Sequence, residues 1–257
     1  MQIKLIHAFL GGLLLTAAGC QIDLSKETRN FDGFTGVNNR SDADVVLVTD
    51  GSGDGLQAGD VLVTCSGDFM ADVTTAVDAS GTLIIDFAAE VASVFDCGIT
   101  VVTDDAVTDV VSDGDGDIIC EDPMTNVRTI EVNGNGSVIL ASVAAAELNI
   151  LVGGTGEVKI DQVTADQLNI DLRGTGDATL GGEAGRVDLM ISGSGSLAAK
   201  DLVAGYLNAV LTGTGNAEIT VNGIVDAEVD GDSTLDVFGA AEAGVISELD
   251  GGVVVFN

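Results

Sequence analysis

Residues 148–160 read LNILVGGTGEVKI, residues 168–180 read LNIDLRGTGDATL and residues 207–219 read LNAVLTGTGNAEI. In each segment, apolar residues alternate with other residues up to a Gly-x-Gly triplet and again after it. Alternation with a period of two is typical of a β-strand that buries one face. The segments therefore predict two short strands joined by a glycine corner.

In the second half of the chain the Gly-x-Gly triplet occurs five times, and the first glycines are spaced 20, 20, 19 and 20 residues apart. A unit of this length is too short to bury its own apolar face, so successive units must stack. We predict an all-β fold, a right-handed parallel β-helix (β-solenoid) with coils of ~20 residues. Its structural turn glycines are Gly134, Gly136, Gly154, Gly156, Gly174, Gly176, Gly193, Gly195, Gly213 and Gly215.

The strand pattern also fits a set of antiparallel hairpins in which the triplet is the turn. The nearly constant period favours the solenoid, because the second linker of each unit is as long as a coil return requires. At the corner, glycine is expected to supply φ > 0 and to let neighbouring coils approach closely. The positions predicted to face inward after each corner are Val138/Leu140, Val158/Ile160, Ala178/Leu180, Leu197/Ala199 and Ala217/Ile219.

Two outward rows of polar residues follow from the same alignment. The middle residues of the triplets form a column that suits hydrogen-bonded turns: Asn135, Thr155, Thr175, Ser194, Thr214 and, in a degenerate sixth coil, Asp232. The second row is typical of a solvated face and is also the best candidate for a repetitive ligand surface: Asn149, Asn169, Asp188, Asn208 and Glu228.

The N-terminus predicts export. Lys4 precedes an apolar run, and the small residues of Thr16-Ala17-Ala18-Gly19 directly precede Cys20. This pattern resembles the lipobox of bacterial lipoproteins, with residues 1–19 as signal peptide, Cys20 as the lipidated residue and residues 20–28 as a lipid-anchored tether. An ordinary cleaved signal that happens to end near a cysteine is the alternative. Gln21, by resemblance to enteric sorting, favours the outer membrane or cell surface.

The composition excludes several kinds of catalytic site and metal site. The single histidine, His7, lies in the predicted signal peptide, so serine–histidine and cysteine–histidine catalysis and histidine-bearing zinc sites are excluded. Without Lys4, eight basic residues remain against 41 acidic ones, a net charge of −33. Such a surface repels nucleic acid and favours cations or basic partners. We predict no enzyme activity and no nucleic-acid partner; the expected partners are the membrane, through the lipid anchor, and an unknown extracellular or envelope partner.

The acidity is concentrated in residues 29–126, which we predict to be an acidic N-terminal β region, followed by the regular repeats of residues 127–257. Between Arg40 and Arg128 there are nineteen Asp or Glu residues and no Lys or Arg. The densest cluster of carboxylates is Asp113, Asp115 and Asp117. Alternating carboxylates in a glycine-rich turn can converge on Ca²⁺, and the alternative is a solvated acidic turn. No other cofactor is expected.

The remaining cysteines are Cys65, Cys97 and Cys120. An exported protein forms disulfides, and three cysteines allow one bond whose connectivity the sequence leaves open. Their spacings match no metal motif.

Three stretches resemble a known family: residues 29–37 (RNFDGFTGV), 191–195 (ISGSG) and 211–215 (LTGTG). They are similar to the opening and to the serine-glycine repeats of the head GIN domain family of auto-transporter adhesin heads of bacterial surface proteins. The resemblance covers residues 29–240 and implies a β-helix and a role in adhesion, without catalytic residues.

These observations predict a non-enzymatic cell-envelope lipoprotein, a surface adhesin or binding module that displays an acidic β-solenoid. The alternative is a periplasmic structural or signalling accessory protein of the envelope. A polysaccharide-active β-helix enzyme is the third hypothesis, and it is the least favoured because the repeats contain few basic or aromatic residues.

Overall fold

The computed structural model describes residues 24–31, 33–49, 55–66, 69–88, 97–104 and 106–257. The predicted signal peptide, Cys20 and the start of the tether lie outside these residues. Within them, no helix is long and apolar enough to cross a membrane. The chain forms β-strands, which are in order β1 (Leu24–Asn30), β2 (Gly36–Asn39), β3 (Asp44–Thr49), β4 (Asp60–Ser66), β5 (Val73–Val77), β6 (Thr82–Phe87), β7 (Cys97–Thr103), β8 (Asp109–Ser112), β9 (Ile118–Met124), β10 (Thr129–Val132), β11 (Val138–Val152), β12 (Val158–Leu172), β13 (Ala178–Ile191), β14 (Leu197–Gly213), β15 (Ala217–Gly231), β16 (Thr234–Phe238), β17 (Glu242–Leu249) and β18 (Val253–Phe256).

The strands of the repeats pair in parallel, so the predicted β-solenoid is confirmed and the hairpin alternative is wrong. Leu148 pairs with Leu168, Leu168 with Val187 and Val187 with Leu207. From Asp113 to Asp250 the chain makes about seven turns of ~20 residues. The side chains predicted to face inward on both sides of the corners are buried and form one continuous core.

Two principal walls run along the solenoid and meet at the glycine corners. Wall A contains β7, β3, β9, the first parts of β11 to β15, then β16 and β18. Wall B contains β6, β2, β8, β10, the last parts of β11 to β15 and then β17. The walls bury alternate residues of each strand, so the other half of each strand faces outward.

The repeat strands are longer than the two short strands expected per coil. β11 to β15 each contain 14 to 17 residues, because the second linker is itself extended and hydrogen-bonded to the next coil. The register shifts where these strands bend, for example between Ile160 and Val163. A bulge bends a strand without ending it, so one strand contributes to both walls.

The solenoid begins before the seam that the sequence suggested at residue 126. β8 and β9 flank the turn at residues 113–117 and pair in parallel with β10 and β11. β2 and β3 form a still earlier turn. The chain then leaves the stack, forms β4 and β5, and adds β6 and β7 on the outer side of β2 and β3. The order of stacking therefore differs from the order of the chain.

The first-turn end of the solenoid is closed by antiparallel strands. β5 pairs with β6, β4 pairs with β7, and β1 pairs with β4. Val61 and Val63 of β4 are fully buried there. A disulfide joins Cys65 to Cys97, residues that face each other across β4 and β7, whereas Cys120 is free and buried. Burial raises the pKa of the Cys120 thiol to about 11, which keeps it protonated at neutral pH.

Removing this disulfide is expected to destabilise the protein. The bond closes a loop with a sequence separation of 32 residues, and loops of this size contribute about 3 kcal/mol. Cys65→Ser/Cys97→Ser should lower the free energy of unfolding in urea by that amount, and a thiol reductant should have the same effect on the unaltered protein. Cys120→Ala should remain sensitive to reductant; insensitivity would contradict the Cys65–Cys97 pairing.

The corner glycines were expected to adopt positive φ and to let neighbouring coils approach closely, and only the second role is found. None of the ten predicted turn glycines has a positive φ, so the expectation of left-handed backbone there is wrong. Close approach is confirmed, since a Cβ on Gly154 would lie 2.6 Å from the carbonyl oxygen of Asn133. The same corners are hydrogen-bonded directly, for example from the Thr155 N–H to the Gly134 carbonyl at 3.0 Å. Glycine is required because the backbones of successive coils are in contact.

Candidate binding surface

A column of amide and carboxylate side chains runs along the outer face of wall B. Parallel pairing places its members one coil apart: Thr129, Asn149, Asn169, Asp188, Asn208 and Asp226. Asn169 Nδ2 donates to Asn149 Oδ1 at 2.8 Å, and Asn208 Nδ2 donates to Asp188 Oδ1 at 3.1 Å. We call this the amide column.

The predicted outward row is wrong at its last member, Glu228. Asn208 pairs with Asp226, whereas Glu228 pairs with Val210. The first four predicted members, Asn149 to Asn208, do lie in one row. Gly213, the first glycine of its triplet, pairs with Gly231 only 18 residues later, so the sixth coil is two residues shorter than the others. This shortening places Asp226, and not Glu228, in the row.

Beside the amide column lies a group of larger side chains that sequence reasoning missed. Arg186 pairs with Tyr206, Tyr206 with Ile224 and Met190 with Val210. We call Arg186, Met190, Tyr206, Val210 and Ile224 the wall B patch. Met190 is 46 % exposed and Ile224 48 % exposed, although both are apolar.

Contacts between coils hold the polar members of the wall B patch in place. The Arg186 guanidinium lies 4.5 Å from the centroid of the Tyr206 ring, a cation–π contact. Arg186 Nε donates to Asp188 Oδ2 at 2.6 Å, and the Tyr206 hydroxyl donates to Asp226. Arg, Tyr and Met are enriched at the centres of protein interfaces. The patch is therefore a rigid surface of the composition that interfaces use.

The carboxylates next to the patch are held in their ionised form. The hydrogen bond from Arg186 lowers the pKa of Asp188, and the hydrogen bond from Tyr206 lowers the pKa of Asp226. The bond to Asp226 also raises the pKa of Tyr206. A glycosidase needs one carboxylic acid whose pKa is raised so that it can donate a proton. Asp188 and Asp226 do not meet this requirement.

A shallow cleft opens on wall A, where Gly181 has no side chain. Its volume is about 210 Å³; Ile160 and Leu180 are among its lining residues, as are the acidic Asp161, Asp201 and Glu218. Ligand pockets usually enclose about 300 Å³ or more. The cleft is therefore smaller than an ordinary small-molecule site.

The structure does not gather Asp113, Asp115 and Asp117 into a metal-binding group, and the part of the chain it describes contains no group of three acidic, Cys or His residues placed to hold a metal. Asp113 accepts hydrogen bonds from the side-chain amides of Asn38 and Asn133, and Asp115 accepts one from that of Asn135. The calcium site is thus not supported. The Asp113–Asp117 turn is instead an additional Gly-x-Gly corner, and a Cβ on Gly114 would meet the backbone of Arg40 and Ser41.

Asp117 belongs to a second polar column, whose side chains accept backbone N–H groups of the adjacent coil. The Asp117 N–H donates to Asp44 Oδ1 at 3.0 Å, and the Ser137 N–H donates to Asp117 Oδ1 at 2.8 Å. Ser196 donates in the same way to Asp177, and Thr234 donates to Asn216. Asp117, Asp177 and Asn216, each the first residue after a corner, are therefore polar because they cap backbone donors.

Asp117→Asn is expected to stabilise the protein at neutral pH. Burial raises the pKa of Asp117, and nearby Asp44 adds to the rise, although the hydrogen bond from Ser137 opposes it. A raised pKa means that the folded state disfavours the charged form, so stability rises as pH falls through that pKa. Asparagine keeps the acceptor oxygen without the charge. The variant should melt a few degrees higher at pH 7, and the gap should close near pH 4.

Asp115→Asn is the control for this prediction, because it removes a charge from the same turn. A pH-independent gap for Asp117→Asn, or an equal one for Asp115→Asn, would show that general charge repulsion is responsible.

The predicted triplet column also forms at the corners. Thr155 Oγ1 donates to Asn135 Oδ1 at 2.5 Å, one coil apart. These residues satisfy one another along the corner, which agrees with the turn role expected of them.

Together, the fold and the wall B surface define a class of protein: a parallel β-solenoid with hydrogen-bonded polar columns on its outer face. A family model described as "Putative auto-transporter adhesin, head GIN domain" matches residues 33–241. The chain belongs to this head GIN domain family, as the sequence resemblance indicated.

Solved structures share the fold at low sequence identity. A "putative adhesin" from Parabacteroides distasonis is 22 % identical, with a TM-score of 0.78 over 90 % of this chain and 96 % of that one. A "putative lipid binding protein" from the same species is 18 % identical, with a TM-score of 0.80 over 91 % and 97 %. A "putative adhesin" from Parabacteroides merdae is 17 % identical, with a TM-score of 0.76 over 91 % and 96 %. No curated protein matches the chain.

Proposed function

We propose that this protein is a non-enzymatic, lipid-anchored adhesin of the cell surface, which binds its partner through the wall B patch. The observation that carries the proposal is the patch itself: exposed Met190 and Ile224 flank an Arg186–Tyr206 pair that is fixed by hydrogen bonds to Asp188 and Asp226. Membership of a family described as adhesin heads supports it.

The anchor and the wall B patch are separated along the solenoid. β1 begins at Leu24, four residues after the predicted lipidated Cys20, and pairs with β4 at the first-turn end. In wall B, the patch strands β13 to β15 are the seventh to ninth layers counted from β6. At ~4.8 Å per layer, they lie about 29–38 Å from β6. An anchor at Cys20 would therefore leave the patch well away from the membrane.

The strong negative charge of the protein favours some kinds of partner over others. The whole chain carries a formal charge of −32, and Arg186 is already paired with Asp188. A basic or neutral partner is therefore favoured over an acidic one. A basic surface that presents an apolar group to Met190 and Ile224 would match the wall B patch in both respects.

Adhesion can be tested with beads that carry purified residues 24–257. We expect retention on at least one of two coatings, fibronectin and collagen, at about ten times the level of bare beads. Met190→Ser/Tyr206→Ser should reduce that retention about fivefold, which corresponds to roughly 1 kcal/mol of lost binding.

Val203→Ser is the matched control, because Val203 is an exposed apolar residue (37 %) outside the wall B patch. It should leave retention unchanged. Equal losses in the two variants would remove the patch from the proposal. Failure of the unaltered protein on every coating would contradict the adhesin function.

A further inference from the structure

The two ends of the solenoid differ in how their last layer is covered. At the first-turn end, antiparallel β4 and β5 lie on β7 and β6, and Val61, Val63 and Val73 are buried there. At the other end, β17 and β18 pair only with β15 and β16 among the described residues. Strands cover the last layer at the first-turn end, whereas at the other end none of the residues that the structure describes covers it.

The uncovered end exposes side chains that occupy core positions. Phe256 pairs with Val237, and Ile246 pairs with Ala227, both of which are buried. Phe256 is nevertheless 44 % exposed, and Ile246 is only partly buried. Val245 and Leu249 of β17 are exposed as well. One further layer of apolar side chains would complete this end of the core.

The backbone of β18 also has a free edge. The N–H groups of Val253 and Asn257 donate to the carbonyls of Ser233 and Val237 in the preceding layer. Because N–H directions alternate along a strand, those of Val254 and Phe256 point away from that layer. Glu248 accepts the Val254 N–H at 2.7 Å. Within the described residues, no strand lies beside Phe256 on this side.

Charge indicates what could cover this end. Residues 201–257 contain ten Asp or Glu residues and no Lys or Arg. Asp236 lies in β16, Glu242 and Glu248 lie in β17, and Asp250 directly follows β17, so the last turns carry four of these carboxylates. A second copy of the chain would bring the same carboxylates together, and like charges facing each other are costly. A basic segment would neutralise them.

We propose that the last-turn end is a strand-addition site for an extended segment of another protein, with alternating apolar residues flanked by Lys or Arg. The segment pairs with the outer edge of β18 and covers Phe256 and Ile246, as β4 and β5 cover the first-turn end. Main-chain hydrogen bonds supply affinity in this mode of recognition, and the flanking charges supply specificity. The site is separate from the wall B patch, so either proposal can fail alone.

The probe is the synthetic peptide Lys-Thr-Val-Thr-Val-Thr-Val-Lys, labelled with a fluorophore, and its counterpart with glutamate at both ends. At about 50 mM NaCl the basic peptide should bind at least about tenfold more tightly, and the ratio should shrink at about 500 mM NaCl. Hydrogen exchange should slow at Phe256 in the complex and remain unchanged in β1.

Phe256→Pro removes an outward N–H and part of the apolar surface without removing a donor to β16. It should weaken binding of the basic peptide at least about tenfold. Leu24→Pro, at the first residue of the exposed β1, is the matched control and should bind normally. Equal affinity for both peptides, or unchanged binding by Phe256→Pro, would overturn the proposal. So would a dimer of the protein alone that Phe256→Pro dissociates, because that result assigns the edge to a second copy.

Discussion

Leu168→Asp is expected to leave most of the protein unfolded at 25 °C. Leu168 is fully buried in β12, between Leu148 and Val187 of the adjacent coils. A carboxylate at this position would have no partner in an apolar column, and a buried unpaired charge costs more than about 5 kcal/mol. That cost matches the whole stability of many domains. Circular dichroism in increasing urea measures the effect.

Gln167→Asp is the control for this prediction, one residue away on the same strand. Gln167 lies on the outer face of wall B and donates to Asn169 at 3.0 Å. The change should cost no more than about 1 kcal/mol, since one half-buried hydrogen bond is lost. Equal destabilisation by the two variants would contradict the inward–outward alternation on which the solenoid depends.

Gly174→Ala is expected to have the second largest effect, although it adds only a methyl group. The new Cβ would lie 2.6 Å from the Gly153 carbonyl oxygen and 2.8 Å from the Gly153 carbonyl carbon. Both atoms belong to the backbone, so no side chain can rotate away. Separating the coils would stretch the corner hydrogen bond from Gly174 to Val152 (3.2 Å). The expected loss is about 3 kcal/mol, at the upper end of overpacking effects.

Gly98→Ala tests whether the loss comes from contact between coils. Gly98 lies in β7, and a Cβ there would meet no atom within 4 Å. Thermal unfolding of Gly98→Ala should match that of the unaltered protein. If Gly174→Ala also melts at the unaltered temperature, the corners are not as close as the structure shows.

The regular part of the fold is predictable because its determinants are local. Each coil repeats the alternation of Leu168, Ile170 and Leu172 before a Gly-x-Gly corner, so a single alignment gives both the register and the core. The predicted register is wrong only at Glu228, because the sixth coil is two residues shorter than the others. A local pattern does not reveal such a deletion once the triplet itself has degenerated.

The first turn was missed because its corner lacks the Gly-x-Gly signature. Ser41 and Ala43 occupy the places that glycines take later, since Gly114 and Gly116 approach their carbonyls. In the next corner, Asp113, Asp115 and Asp117 suggested calcium, and their charge obscured the Gly-x-Gly spacing. β6 and β7 lie on the outer side of β2 and β3. This placement depends on pairing between strands far apart in the sequence, which no local pattern predicts.

The wall B patch had a usable signal in the spacing. Arg186 and Tyr206 lie 20 residues apart on the outward side of successive coils. Once the period is known, such a column predicts contact between its members. The Cys65–Cys97 bond had no equivalent signal, because it depends on the antiparallel pairing of β4 with β7.

We propose that a lipid on Cys20 holds the protein on the outside of the cell. The most direct test is to add protease to intact cells of the native host that express either the unaltered protein or Cys20→Ala, and to follow membrane fractionation in parallel. We predict that the unaltered protein stays with the membrane and is cleaved from outside, and that Cys20→Ala is released. Membrane retention of Cys20→Ala would contradict the lipid anchor, and protection of the unaltered protein until the envelope is broken would place it in the periplasm.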